Sequence, residues 1–305
     1  MLPNSIAPVK VPRESIAPSV RSKLIALAGV IAALFACYAT PLIALAHLIS
    51  SSELYSYVPL VPVITLYLIW LQRHLWQLRS RPDRRLSLAP LLVGFVLVAA
   101  YWLGRWSGWT PAPEDYLALM VSSLISFLIA ACGYFLGGPT FRAIAFPLGF
   151  LIFCVPWPTF LHDAIVGFLQ AGSAAVAEGF FVASMTPVWR QDLILHLPGI
   201  SLQVAPECSG LHSTLILLIT ALLGSYLFLR GFWRRFVLVA AVLPLALLRN
   251  GFRIFTVGQL CVHIGPQMID SYVHRKGGPI FFALSLIPFY FLLKYLHRSE
   301  RVPAR

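Results

Sequence analysis

Charge is what this sequence has least of. Only 11% of its 305 residues are Asp, Glu, Lys or Arg, while 59% are hydrophobic. A soluble domain carries about 25% charged residues. So few polar groups cannot cover a chain of this size in water, and the mean hydropathy of +0.81 agrees. Acidic residues are the scarcest, 11 against 23 Lys and Arg. The resulting net charge of +12 sits in short clusters between apolar runs. That pattern belongs to anchors of membrane helices, and it argues against a nucleic-acid surface. Several chemical signatures are also missing. There is no CxxC pair, Cys/His cluster of metal spacing, HExxH or Gly-rich phosphate loop after a strand, and no paired aspartates lie inside apolar runs. These absences argue against a disulfide framework, a zinc site, a nucleotide site and an aspartic intramembrane protease. No cofactor and no metal is expected.

What remains is an all-α polytopic membrane protein with about eight spans. Apolar runs long enough to cross lie near 24–46, 57–72, 88–104, 116–136, 143–157, 213–229, 236–258 and 279–296. Residues 1–22 are expected to form a disordered cytoplasmic tail, 23–297 the transmembrane domain, and 298–305 a basic cytoplasmic tail. With the N-terminus inside, seventeen Lys and Arg fall on the cytoplasmic side. Four fall outside: Arg105, Arg190, Arg275 and Lys276. This bias favours both termini inside, in a cell (inner or cytoplasmic) membrane. It also constrains 143–157 and 160–185: if both crossed, Arg230, Arg234 and Arg235 would face outward, so one crosses and the other lies on or dips into the membrane. Residues 158–212 are expected to be extracytoplasmic. Within them Leu193–Leu197 and Ile200–Val204 alternate in period two around Pro198-Gly199, which predicts a β-hairpin leading to Cys208.

Two groups of residues could carry chemistry. Arg249 and Arg253 stand inside the seventh apolar run, four apart and so on one helix face. A charge at the centre of a membrane helix costs on the order of 2.5–3.5 kcal/mol, and such residues usually face a cavity or a partner. Of five cysteines, Cys37, Cys132, Cys154 and Cys261 lie in or beside apolar runs and are expected to pack as small hydrophobes. Cys208 differs. It stands in the polar stretch Pro206-Glu207-Cys208-Ser209-Gly210, where a helix N-terminus can stabilise a thiolate. A base would be a histidine near the same face. His47, His162, His196, His212, His263 and His274 are all placed for it, with His212 a local rival four residues after Cys208.

The ordered set Pro206-Glu207-Cys208-Ser209-Gly210-Leu211, Arg249-Asn250-Gly251-Phe252-Arg253-Ile254, then His274 ahead of Gly277-Gly278 resembles the exosortase/archaeosortase family. Ser56-Tyr57, Phe146-Pro147-Leu148 and Val155-Pro156-Trp157-Pro158 extend the likeness over most of 50–290. The resemblance implies a membrane-embedded cysteine peptidase or transpeptidase. Cys208 would be the nucleophile and His274 the general acid/base. Arg253 would stabilise the oxyanion, with Arg249 as rival or outer support. The implied partners are membrane lipids and exported proteins that carry a C-terminal signal: a PEP-CTERM-like motif, a transmembrane helix and a basic tail. A thioester would form and be resolved by an acceptor or by water, and the active site would face the extracytoplasmic side. Two other classes compete. A transporter or assembly scaffold, with Arg249 and Arg253 along a polar path, would tolerate loss of Cys208. A cysteine-dependent acyltransferase would turn over a lipid or glycan instead of a protein tail.

Overall fold

The computed structural model describes residues 18–76, 83–270 and 277–301. Its elements are helices apart from one small sheet. Eight segments are long and apolar enough to cross a membrane: Val20–Cys37, Glu53–Leu71, Arg84–Trp106, Pro113–Cys154, Thr159–Ala183, Pro206–Phe228, Phe232–His263 and Gly278–Glu300. The protein is thus a multi-pass membrane protein. Outward apolar side chains fit lipid contact: Phe95, Val96, Trp102 and Leu103 are each more than half exposed. The chain divides into two units, Met1–Ser51 with Val58–Trp157, and Ser52–Tyr57 with Pro158–Arg305.

The first unit contains α1 (Pro18–Cys37), α2 (Ala39–Ser51), α3 (Leu60–Leu71), α4 (Arg84–Trp106) and α5 (Pro113–Phe150). Helix α5 is its spine and packs on each of the other four. Four apolar runs that read as uninterrupted or as separate spans are built differently, with breaks at three places. The run 24–46 breaks at Tyr38 into α1 and α2. The run 116–136 and the first half of 143–157 belong to one element, α5, broken at Gly137 with φ 74°, and a 3₁₀ turn at Leu151–Cys154 follows it. In the second unit, 236–258 breaks at Ala241. A proline follows each break within three residues: Pro41, Pro139 and Pro244. Proline has no N–H to give a preceding turn but costs nothing in the first turn of a new helix. The breaks therefore fall just upstream of it.

The second unit contains α6 (Thr159–Ala183), strands β1 (Trp189–Gln191), β2 (Ile194–Leu197) and β3 (Ile200–Gln203), then α7 (Leu211–Phe228), α8 (Phe232–Ala240), α9 (Val242–His263) and α10 (Gly278–Arg301). The sheet is antiparallel in the order β1-β2-β3, with Leu195 opposite Leu202. The expected hairpin is present, turned by Pro198 and Gly199 at φ 80°. A third strand, β1, joins it through Asp192, itself in the left-handed region at φ 52°. Leu195, Leu197 and Leu202 bury against Ala177 and Phe181 of α6, which fixes the sheet on the helix.

Helices α6 and α9 pack closely on each other. Gly251 of α9 sits where a side chain would fall 2.5 Å from Val176 Cγ1 and 3.1 Å from the Ala177 nitrogen. On α6, Ser173, Ala174 and Ala177 are fully buried. Small residues on both helices let the backbones approach, the usual means of close packing between apolar helices. At the other end of the unit, the Glu300 carboxylate accepts from the Arg230 and Gly231 backbone N–H groups at 2.9 and 2.8 Å, and Arg234 lies 3.7 Å from it. That ties the α7–α8 turn to the end of α10. Asp163 lies in the second turn of α6.

Candidate active site

Polar residues converge where α6, the sheet, α7 and α9 meet. Residues Pro206–Cys208 form a 3₁₀ turn, in which the Cys208 N–H donates to the Ala205 carbonyl at 2.9 Å. Gly210 follows at φ 73° and α7 begins at Leu211. A side chain at Gly210 would sit 3.0 Å from Arg249 Nη2 and 3.1 Å from Asn250 Cγ. Both the left-handed conformation and the lack of space require glycine there. Cys208 is therefore delivered, half-buried, just ahead of a helix N-terminus.

Two buried amides hold the chain on either side of this turn. Asn250 Nδ2 on α9 donates to the Cys208 carbonyl at 2.7 Å and to Ser173 Oγ on α6 at 3.0 Å. Gln170 Nε2 on α6 donates to the Val204 carbonyl at 2.7 Å. Asn250 is 2% exposed and Gln170 6%. A hydrogen bond at such a site is worth about 1 kcal/mol net, and orphaning a buried partner costs about 1–3 kcal/mol. The α6–α9 crossing thus places the amides, and the amides place the backbone that carries Cys208.

The two arginines separate. Arg249 is 8% exposed, and its Nη2 donates to the Gly210 carbonyl at 3.1 Å and to Thr214 Oγ1 at 3.3 Å. Its Nη1 is buried with no hydrogen-bond partner among the described residues. One turn along, Arg253 lines a cavity of about 210 Å³ together with Cys208 and Asn250. The rest of the wall is Leu202–Ala205 from the end of the sheet, Ile254 and Val257 from α9, and Ile269. A thiol, a guanidinium and an apolar wall thus share one space. A nucleophile beside a fixed cation in a site of low polarity is suited to attack on a carbonyl whose oxygen becomes negative.

The other described candidates fall elsewhere. His274 lies outside the described residues. His212 Nε2 is 3.2 Å from Ser56 Oγ, and no histidine lines the cavity among the described residues. His196 stacks on Trp189 with ring centroids 4.9 Å apart, and its Nδ1 meets Ser201 Oγ at 2.8 Å. Cys132, Cys154 and Cys261 are buried, whereas Cys37 is exposed at the end of α1 and does not pack as a small hydrophobe. No cluster of metal-binding side chains occurs among the described residues. Sequence reading passed over Gln170 and Ser173. Their signal is two polar residues three apart in the apolar middle of α6, hence on one face, where unpartnered polar groups are costly.

Comparison with known proteins gives one positive finding. The family model for transmembrane exosortases matches residues 49–291, about four-fifths of the chain. No curated protein and no solved structure matches. The matched region contains the whole of the cavity wall, and over that length the chain belongs to the transmembrane exosortase family.

Proposed function

We propose that the protein is a cysteine peptidase or transpeptidase that cleaves the C-terminal sorting signals of exported proteins at the extracytoplasmic face of the cell membrane. The observation that carries this reading is the shared cavity: Cys208 and Arg253 line the same space, and Asn250 holds the Cys208 backbone at its edge. Family membership supports a protein-sorting role in general terms.

In the proposed reaction the Cys208 thiolate attacks the scissile carbonyl. Arg253 donates to the oxyanion of the tetrahedral intermediate, a contribution worth several kcal/mol where water is excluded. His274 takes the thiol proton and returns it to the leaving amine as the carbon–nitrogen bond breaks. The acyl group remains on Cys208 as a thioester. An amine or hydroxyl acceptor then displaces the thiolate, giving transfer, or water does so, giving hydrolysis. Substrates would bear a PEP-CTERM-like motif, a membrane helix and a basic tail.

The orientation follows from counting. With the N-terminus placed inside by its charge, alternation of the eight candidate spans puts the C-terminus inside as well and makes Thr159–Ala183 the fifth crossing. On this reading the sheet and the start of α7 face outward, and the cluster Arg230, Arg234 and Arg235 faces inward. The extracytoplasmic stretch then begins after Ala183.

The test is co-expression with a reporter carrying a motif, helix and basic tail taken from the same genome. Processing by the wild type and not by Cys208→Ala is expected. Mass spectrometry of the product C-terminus separates transfer from hydrolysis. Equal processing by both, or a solute-dependent phenotype that Cys208→Ala leaves intact, would instead support the transporter or scaffold reading.

A further inference from the structure

Among the described residues the sheet has a free edge, and it leads to the cavity. Strand β3 pairs with β2 on one side, and no further strand lies beyond it among the described residues. The pairing direction can be assigned residue by residue. The Val204 N–H donates to the Leu193 carbonyl at 2.9 Å, and the register sets Leu202 opposite Leu195. Main-chain groups of a strand alternate in direction. Those of Ile200, Leu202 and Val204 therefore point to β2, and those of Ser201 and Gln203 point to the open edge. Ser201 and Gln203 are both exposed, while Leu202 between them is buried. The Gln203 carbonyl accepts from the Ala205 N–H at 3.1 Å, which leaves its second lone pair and its own N–H directed outward. From Leu202 to Ala205 this strand end forms cavity wall, and Cys208 lies three residues further on.

Building on the peptidase reading, we infer that the β3 edge is the substrate-docking rail. The residues before the scissile bond bind as an extended fourth strand, parallel to β3. Donors and acceptors spaced two residues apart, roughly 6.6 Å, match an extended polypeptide backbone and neither a lipid chain nor a glycan. Main-chain pairing supplies the affinity, and every second side chain meets the apolar wall of Leu202, Val204, Ile254 and Val257. The parallel sense follows from the direction of the chain. β3 runs toward Cys208, so a substrate running the same way presents its scissile carbonyl at the thiol, with its membrane helix still ahead. Pro198-Gly199 holds the hairpin that presents this edge.

The test is disulfide trapping in the full-length protein with the nucleophile removed, Cys208→Ala with Gln203→Cys. Single cysteines are placed at successive positions upstream of the cut in the same signal-bearing reporter. Crosslinking at every second reporter position is expected, with at least a threefold excess over the positions between. A parallel experiment places Gln203→Pro in the otherwise intact enzyme, which removes one outward N–H and leaves the β2 pairing whole. Its processing should fall by about tenfold, the equivalent of one hydrogen bond, while alkylation of Cys208 by iodoacetamide is retained. Processing by the wild type without periodic crosslinks would overturn the docking rail alone. Periodic crosslinks without any processing would uphold the rail and overturn the peptidase. Neither processing nor crosslinks would overturn both.

Discussion

The two units bury different kinds of polar group. Among the described residues of the first, the buried polar side chains are three hydroxyls, Thr65, Ser123 and Thr140. Ser123 Oγ bonds back to the Met120 carbonyl at 2.8 Å within its own helix, and its one bond beyond α5 is to another hydroxyl, Tyr38 Oη at 2.7 Å. In the second unit they include Gln170, Asn250 and Arg249, and the bonds they make link different elements. A hydroxyl that satisfies itself locally costs a membrane helix little. An amide or a guanidinium needs partners from elsewhere, so it fixes how helices and loops meet. The first unit therefore reads as lipid-facing scaffold. The second spends its scarce polar groups on holding one cysteine.

The largest expected effect sharpens that contrast. Cys208→Ala should reduce reporter processing by roughly 10⁴-fold or more, with an unchanged elution profile in detergent. Next comes the division between the arginines. Arg253→Ala should lower the turnover rate by about 10²–10³-fold, the loss expected for one oxyanion donor, with a smaller fall in melting temperature than Arg249→Met. Arg249→Met should do the reverse first, lowering thermal stability through loss of its bonds to Gly210 and Thr214, about 1.5–3 kcal/mol for a charged donor. Parallel rate and melting measurements on the pair check this. If Arg249→Met lost turnover at full stability, the roles would be exchanged.

Asn250→Ala should be felt in both readouts. It leaves the Cys208 carbonyl and Ser173 Oγ without their donor, costing about 1–3 kcal/mol, and it loosens the turn that carries the thiol. Gly251→Ala should cost a similar amount or slightly less, about 1–3 kcal/mol by overpacking the α6–α9 crossing. Its effect on processing should track that of Asn250→Ala, because both displace the same backbone. The smallest effect belongs to the first unit. Ser123→Ala removes a contact with Tyr38 Oη at 2.7 Å and should cost about 1 kcal/mol or less, with processing unaltered. A loss of activity in Ser123→Ala as large as that in Asn250→Ala would erase the difference between the units.

Much of this architecture is legible in the sequence, for a physical reason. Lipid demands long apolar runs, so the spans announce themselves, and period-two alternation around Pro198-Gly199 announces the hairpin. Breaks inside apolar runs are harder, because hydropathy does not register them. At Tyr38, Gly137 and Ala241 the signal is a proline two or three residues later, a local backbone constraint. Strand β1 is three residues long, with alternation too brief to read. The site is legible only in part. Cys208 stands out as a polar residue opening an apolar helix, and Arg249 and Arg253 stand out as charges within one. Their separation into a buried anchor and a cavity residue depends on Gly210, which is far away in sequence. The clamp of Gln170 and Asn250 on Val204 and Cys208 likewise joins residues 34 and 42 positions apart. No local pattern encodes that distance.

The most direct test of the central claim is to trap the acyl group. Wild-type protein in vesicles, given the signal-bearing reporter and neutral hydroxylamine, should release reporter ending in a hydroxamate, because hydroxylamine displaces the thiolate from a thioester. Cys208→Ala should release none. Hydroxamate formed by Cys208→Ala, or cleavage by the wild type that hydroxylamine never intercepts, would contradict Cys208 as the nucleophile.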